Sequence, residues 1–179
     1  RLIHTNEIWY RYGKQINQLK KHKKRGGYIF ENCLALCCIS PSSVLMHQSL
    51  FQEFGQFDED LPVCEDYDLW LRISSNEEVF YIDDALTIKH SDTEIQLSKK
   101  YWGMDRFRVQ SLEKLITSGF LSRSQEKSAL TMLVRRLKIL VNGAIKRDNK
   151  LIIDKYCPKL RKWQGRHADS HQLESKENL

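Results

Sequence analysis

The sequence has no long apolar segment, no repeat and no low-complexity tract. Its hydrophobic runs fall well short of the roughly 20 residues that a membrane-spanning helix needs, and its first four residues lead straight into polar sequence, unlike a secretory signal. Of its 179 residues, 41% are hydrophobic and 29% are charged, which is typical of a globular domain with a core. The chain also lacks an initiator methionine, so we expect it to begin inside a longer protein.

The cysteines lack the spacing of a disulfide framework or of a structural zinc site. Their number is odd, no secretory signal is present, and no pair has the C-x-x-C spacing typical of zinc sites. We therefore expect buried thiols that act as small hydrophobic side chains in a reducing, cytoplasmic compartment. The five residues are Cys33, Cys37, Cys38, Cys64 and Cys157.

The net charge of +6 is concentrated in the C-terminal part of the chain. Residues 120–179 contain 14 lysines and arginines against 6 aspartates and glutamates. Such a basic segment predicts an anionic partner, for example a membrane surface, a nucleic acid or a phosphorylated substrate. The alternative interpretation is a solvated helix face without a partner.

Hydrophobic periodicity predicts an α/β core followed by helices alone. We expect strands at residues 8–10, 34–39, 79–82 and 85–89, the second of them buried on both faces. Helical spacing predicts helices at residues 45–54, ending at Gly55, and at residues 65–75. Further helices are expected at residues 102–117, 124–146 and 151–163, with Ser122 or Ser124 as a helix N-cap and a disordered stretch at residues 166–179.

An acidic segment at a predicted loop-to-helix junction carries the chemistry. Glu65, Asp66 and Asp68 fall in the first turn of the helix, where free backbone N–H groups and the helix dipole stabilise negative charge. A carboxylate held there can act as a general base toward a hydroxyl. Arg72 is close enough along the helix to pair with Asp68. The alternative is that these acids only cap the helix.

Residues 55–61 and 65–72 read Gly-Gln-Phe-Asp-Glu-Asp-Leu and Glu-Asp-Tyr-Asp-Leu-Trp-Leu-Arg. This pair of strings resembles the acceptor-site signature of bacterial family 2 glycosyltransferases. The resemblance extends to residues 26–31 and 39–44 before the signature, and to residues 96–98 and 101–108 after it. It implies the GT-A fold, with residues 1–95 as the acceptor-side part of the catalytic domain and residues 96–165 as a helical extension.

The resemblance also implies a mechanism. Asp66 corresponds to the base of these inverting enzymes, which transfer a sugar from a nucleotide-sugar donor to a glycan or lipid-linked acceptor in polysaccharide biosynthesis. Glu65 would shape the site as a second catalytic residue, and Asp68 and Arg72 would support it. The family uses a divalent metal, Mn²⁺ or Mg²⁺, to stabilise the leaving diphosphate. The implied location is cytoplasmic, including the inner face of the membrane as a peripheral protein.

The sequence departs from the family pattern at the donor side. No Asp-x-Asp motif precedes the acidic segment, and the residues at 58–60 match its letters only inside the loop. We therefore expect the nucleotide-binding half, roughly another 100 residues, to lie upstream. His90 is a candidate metal ligand, because Thr93 occupies the position where the family pattern has histidine. Candidate ligands for the donor phosphates are Lys23, Lys24 and Arg25.

Two other functions remain open at the level of the sequence. The absent donor half is also typical of a non-catalytic glycosyltransferase fragment that is only a folded remnant or a binding partner. The basic C-terminal part would suit a nucleic-acid-binding protein, but the sequence has no zinc finger, helix-turn-helix spacing or aromatic-basic RNA signature. We therefore expect no nucleic-acid partner.

Overall fold

A computed structural model describes residues 1–91 and 100–177, with the side chains of residue 21 and of residues 171–177 left aside. The chain divides into two compact units, Arg1–Met104 and Asp105–Leu179. The first unit contains strands and helices, and the second contains helices alone. The α/β class predicted from the sequence is therefore confirmed.

The first unit is built on a four-stranded mixed sheet with β1 (Leu2–Arg11) at its centre. This strand pairs antiparallel with β2 (Lys14–Ile16) and β3 (Val44–Met46), and parallel with β4 (Val79–His90). The tight turn from β1 to β2 uses Tyr12 and Gly13, both with positive φ, as a two-residue hairpin turn of type I′ requires. The predicted strand near residues 8–10 is confirmed as part of β1.

Three helices of the first unit supply most of its apolar core. They are α1 (Phe30–Ala35), α2 (Ser49–Phe54) and α3 (Glu65–Ser74), and α3 contacts both of the others. The apolar residues of α3 are almost fully removed from solvent, including Trp70 at 2% exposure. The predicted helix at residues 65–75 and its apolar side are confirmed.

The predicted strand at residues 34–39 is wrong. Residues 30–35 form α1, and the helix buries Phe30, Cys33 and Leu34, which follow the i, i+3, i+4 spacing of one helix face. The prediction began at Leu34 and so omitted the first two of these positions. A short apolar run does not by itself distinguish a buried strand from a buried helix.

Two further element boundaries differ from the sequence prediction. Residues 44–46 form β3 against β1, so the helix predicted from residue 45 begins only at Ser49, although it ends before Gly55 as predicted. The two strands predicted at residues 79–82 and 85–89 are one strand, β4. Its pairing with β1 passes from Ile82 to Ala85, and the intervening acids lie in this irregularity.

The second unit consists of α4 (Asp105–Thr117), α5 (Arg123–Lys146) and α6 (Lys150–Glu177). Ser122 caps α5 and forms a reciprocal capping box with Gln125, which confirms the predicted N-cap. The helix α6 continues past residue 166, so the predicted disordered stretch is wrong over residues 166–177. Arg166 pairs with Glu126 of α5, which holds this part of α6 on its neighbour. No helix in the described part of the chain is long and apolar enough to cross a membrane.

Candidate active site

The acidic segment lies at the start of α3, as the sequence predicts. Cys64 precedes the helix in the left-handed conformation, with φ of 65°, and Glu65, Asp66 and Asp68 occupy the first turn. The Asp66 Oδ1 atom accepts a hydrogen bond from the backbone N–H of Tyr67 at 2.7 Å. This contact orients the carboxylate at the helix N-terminus, where the dipole stabilises its charge.

The second oxygen of Asp66 has a thiol as its partner. The Cys37 thiol donates to Asp66 Oδ2, with 3.2 Å between sulfur and oxygen. Burial and then the negative charge of Asp66 raise the pKa of Cys37 well above its ordinary value. The thiol therefore stays protonated at neutral pH and remains a donor to the carboxylate. Asp66 itself is half-buried.

Asp66 lines an open cavity of about 710 Å³ within the first unit. Glu65 and His90 line the same cavity, so the structure brings three of the sequence candidates together. Aromatic and basic side chains form much of the remaining wall of the cavity. A sugar hydroxyl that enters the cavity could therefore reach the carboxylate of Asp66. These side chains are Trp9, Arg11, His22 and Lys89.

Asp68 and Arg72 form a buried support beneath this helix turn. Asp68 is 5% exposed, and Arg72 contacts its Oδ2 through Nε at 2.9 Å and through Nη2 at 2.8 Å. Arg72 also donates to the backbone carbonyls of Phe54 and Gln56 at the end of α2. Arg72 thus connects the first turn of α3 with the start of the loop formed by residues 55–61.

We expect the replacement of Arg72 by methionine to lower the free energy of unfolding by about 1.5–3 kcal/mol, because a buried carboxylate and two carbonyls lose a charged donor. Urea denaturation followed by tryptophan fluorescence measures the change. The exposed Arg25→Met variant is the control, and we expect a change below about 0.5 kcal/mol there. Equal effects at the two positions would contradict this role of Arg72.

The candidate phosphate ligands lie elsewhere. Lys24 is buried and its Nζ pairs with Glu7 Oε1 at 3.4 Å, while the backbone carbonyl of Arg25 contacts Nε2 of His4 at 2.9 Å. Lys23 is exposed and lines, with Lys24, a second cavity of about 450 Å³. Among the residues that line the cavity of Asp66, none of the three candidates is found.

The described residues contain no ready-made side-chain cluster for the divalent metal that the family resemblance implies. No group of three histidine, cysteine, aspartate or glutamate side chains suited to a metal occurs in residues 1–91 and 100–177. His90 lines the cavity and stacks on the ring of Tyr10, with 5.7 Å between the ring centroids. Thr93 and residues 96–98 lie outside the described residues. The metal and its ligand His90 therefore stay predictions.

The structure adds site residues that sequence reasoning missed. Cys37 is 29 positions from Asp66 and lies in the segment that was predicted wrongly as a strand, so no local signal predicted their contact. Trp9 and Lys89 are direct partners in the parallel pairing of β1 with β4. Both strands were expected from the sequence, and the pairing alone was missing. A correct prediction of this strand pairing would have placed Trp9 beside Lys89 and His90.

A comparison of the chain with protein-family models found no match, and comparisons with curated proteins and with solved structures found none either. The case for a function therefore depends on the acidic segment and on the geometry around Asp66.

Proposed function

We propose that this chain is the acceptor-side part of an inverting glycosyltransferase of the GT-A type, with Asp66 as its general base. The observation that carries the proposal is the placement of Asp66. Its carboxylate is oriented at a helix N-terminus and lines a 710 Å³ cavity with Glu65, His90 and Trp9. The family resemblance of the acidic segment supports the same function.

In the proposed reaction, an acceptor hydroxyl binds in this cavity beside Asp66. The Asp66 carboxylate takes the hydroxyl proton as the oxygen attacks the anomeric carbon of a nucleotide-sugar, and the nucleoside diphosphate leaves from the opposite face. Glu65 and Trp9 shape the acceptor side of the cavity, and Asp68 with Arg72 holds the helix turn that carries Asp66. The thiol of Cys37 and the N–H of Tyr67 each bond one carboxylate oxygen, and each oxygen has a second lone pair for the acceptor hydroxyl.

A thermal-shift experiment tests whether a donor site exists. The melting temperature is measured with Mn²⁺ alone and with Mn²⁺ plus UDP, GDP, dTDP or CDP. A ligand that binds only the folded state must raise the melting temperature, and a concentration one hundred times the dissociation constant adds about 2.7 kcal/mol of stability. A donor site within this chain would make one nucleotide raise the melting temperature above the value with Mn²⁺ alone.

A nucleotide-specific shift would identify the donor base and justify transfer assays with the corresponding nucleotide-sugars. The absence of a shift with all four would contradict an active transferase in this chain. It would favour the non-catalytic alternative, in which the fold is kept and Asp66 has no donor to act with.

A further inference from the structure

Cys33 and Cys38 form a close pair of thiols next to the candidate active site. Cys33 lies in α1, and Cys38 follows the end of that helix. Their sulfur atoms are 3.3 Å apart. A disulfide needs about 2.05 Å between the sulfurs, so a movement of little more than 1 Å would bring the two atoms to bonding distance.

The two thiols differ in exposure and in charge environment. Cys33 is 1% exposed, whereas Cys38 is half-buried. The hydrogen bond with Cys33 lowers the pKa of Cys38 against the opposing effect of burial, and the nearby positive charges of Lys24 and Arg25 lower it further. The same hydrogen bond, together with burial, raises the pKa of Cys33. Cys38 is thus the better nucleophile and Cys33 the protonated partner.

The neighbouring Cys37 is in a different state. Its single S–H has two acceptors within reach, Asp66 Oδ2 and the carbonyl of Ile39, and burial raises its pKa. A protonated thiol with acceptors on both sides is a poor nucleophile. The adjacent pair Cys37 and Cys38 therefore does not compete with the pair Cys33 and Cys38.

We propose that Cys33 and Cys38 are a redox-active dithiol that closes reversibly to a disulfide when the protein meets a peroxide. The proposal does not depend on the proposed transferase function. The thiolate of Cys38 attacks one peroxide oxygen, the O–O bond breaks, and the second oxygen leaves as water after protonation. The sulfur of Cys33 then attacks the sulfenic sulfur of Cys38, and a second water leaves with the Cys33 proton. Two thiols lose two electrons and two hydrogens, and hydrogen peroxide becomes two waters.

Counting alkylated thiols in the full chain tests the proposal. The protein is treated with hydrogen peroxide, free thiols are blocked with iodoacetamide under denaturing conditions, and the intact mass is measured. Reduced protein should carry five alkyl groups, one for each cysteine. Treated protein should carry two fewer, and dithiothreitol added before blocking should restore all five.

Single variants assign the pair. In Cys38→Ser, peroxide should leave the count of four alkyl groups unchanged. In Cys33→Ser, it should remove no more than one group, because Cys38 can form a sulfenic acid but has no thiol with which to close a disulfide. Cys33→Ala is a second variant for the buried position, in case serine prevents folding. In the matched controls Cys37→Ser and Cys157→Ser, peroxide should still remove two alkyl groups. Circular dichroism before treatment checks the fold of each variant.

Several outcomes would overturn the proposal. Wild-type protein that keeps five alkyl groups, at a peroxide dose that fully oxidises free glutathione, would do so. If peroxide no longer removed two alkyl groups from Cys37→Ser, or still removed two from Cys38→Ser, the reaction would belong to other thiols. A count that dithiothreitol does not restore would indicate oxidation beyond the disulfide.

Discussion

Replacement of Asp66 by asparagine is expected to lower the rate of sugar transfer by about 10²–10⁴-fold, the range that general acid–base groups contribute. Asparagine keeps the shape of the side chain, and its one amide oxygen can still accept from the N–H of Tyr67, while the NH₂ group that replaces the other oxygen faces the sulfur of Cys37 as a donor. It cannot take the proton of an acceptor hydroxyl. The measurement is the release of nucleoside diphosphate, with the nucleotide-sugar chosen from the thermal-shift experiment and a panel of glycan acceptors.

The matched control for this variant is Glu59→Gln, which removes a carboxylate charge at an exposed position in the loop before α3. We expect its transfer rate to stay within about twofold of the original protein, because an exposed charge one loop away has little effect on a base. The melting temperature of Asp66→Asn should change little. A variant that folds, binds nucleotide and transfers sugar at the original rate would show that Asp66 is not the base.

The sequence predicted the part of the site that is continuous along the chain. Glu65, Asp66 and Asp68 are in the first turn of α3 because acids stabilise helix N-termini and the apolar positions that follow have helical spacing. The pairing of Asp68 with Arg72 also follows from an i, i+4 spacing. These are local rules, so a single sequence is enough to apply them.

Contacts between distant segments were not predictable in the same way. The position of Cys37 against Asp66 depends on where α1 ends, and the position of Trp9 and Lys89 depends on the parallel pairing of β1 with β4. Lys24 illustrates the same limit. The sequence placed Lys24 among the candidate phosphate ligands, but the acid that neutralises it is Glu7, 17 positions away on β1.

The buried pair of Lys24 and Glu7 is expected to be the most sensitive charge contact in the first unit. The two side chains are 3% and 0% exposed. Glu7 also accepts from Trp9 Nε1 at 2.9 Å, and Lys24 donates to Ser40 Oγ at 3.3 Å. Removing one partner leaves a buried charge without compensation, which costs about 3–5 kcal/mol in comparable cases. We therefore expect Lys24→Met to lower the free energy of unfolding by that amount.

Urea denaturation followed by tryptophan fluorescence measures this loss, and Lys23→Met is the matched control. Lys23 is exposed and adjacent, so we expect a change below about 0.5 kcal/mol. Adding Glu7→Gln to Lys24→Met should recover much of the loss, because the second change removes the unpaired charge while an amide can still bond Trp9. A double variant no more stable than Lys24→Met would contradict the pairing.

The pH dependence provides a second test of the pair. Burial alone would raise the pKa of Glu7, but hydrogen bonds from Ser40 and Trp9 and the charge of Lys24 together lower it below its ordinary value. A carboxyl group with a lowered folded pKa stabilises the protein above its unfolded pKa, about 4.3, and loses that contribution as the pH falls through the folded value. In Lys24→Met the charge of Glu7 is buried without its partner, so protonation of the Glu7 carboxylate stabilises the folded variant. The stability difference between the two proteins should therefore be largest near pH 7. It should begin to shrink above about 4.3 as Glu7 of the variant takes up its proton, and shrink further below about 4.3 as the original protein loses the contribution of Glu7. A difference that stays constant across this range would assign the effect of Lys24→Met to lost packing instead of lost charge.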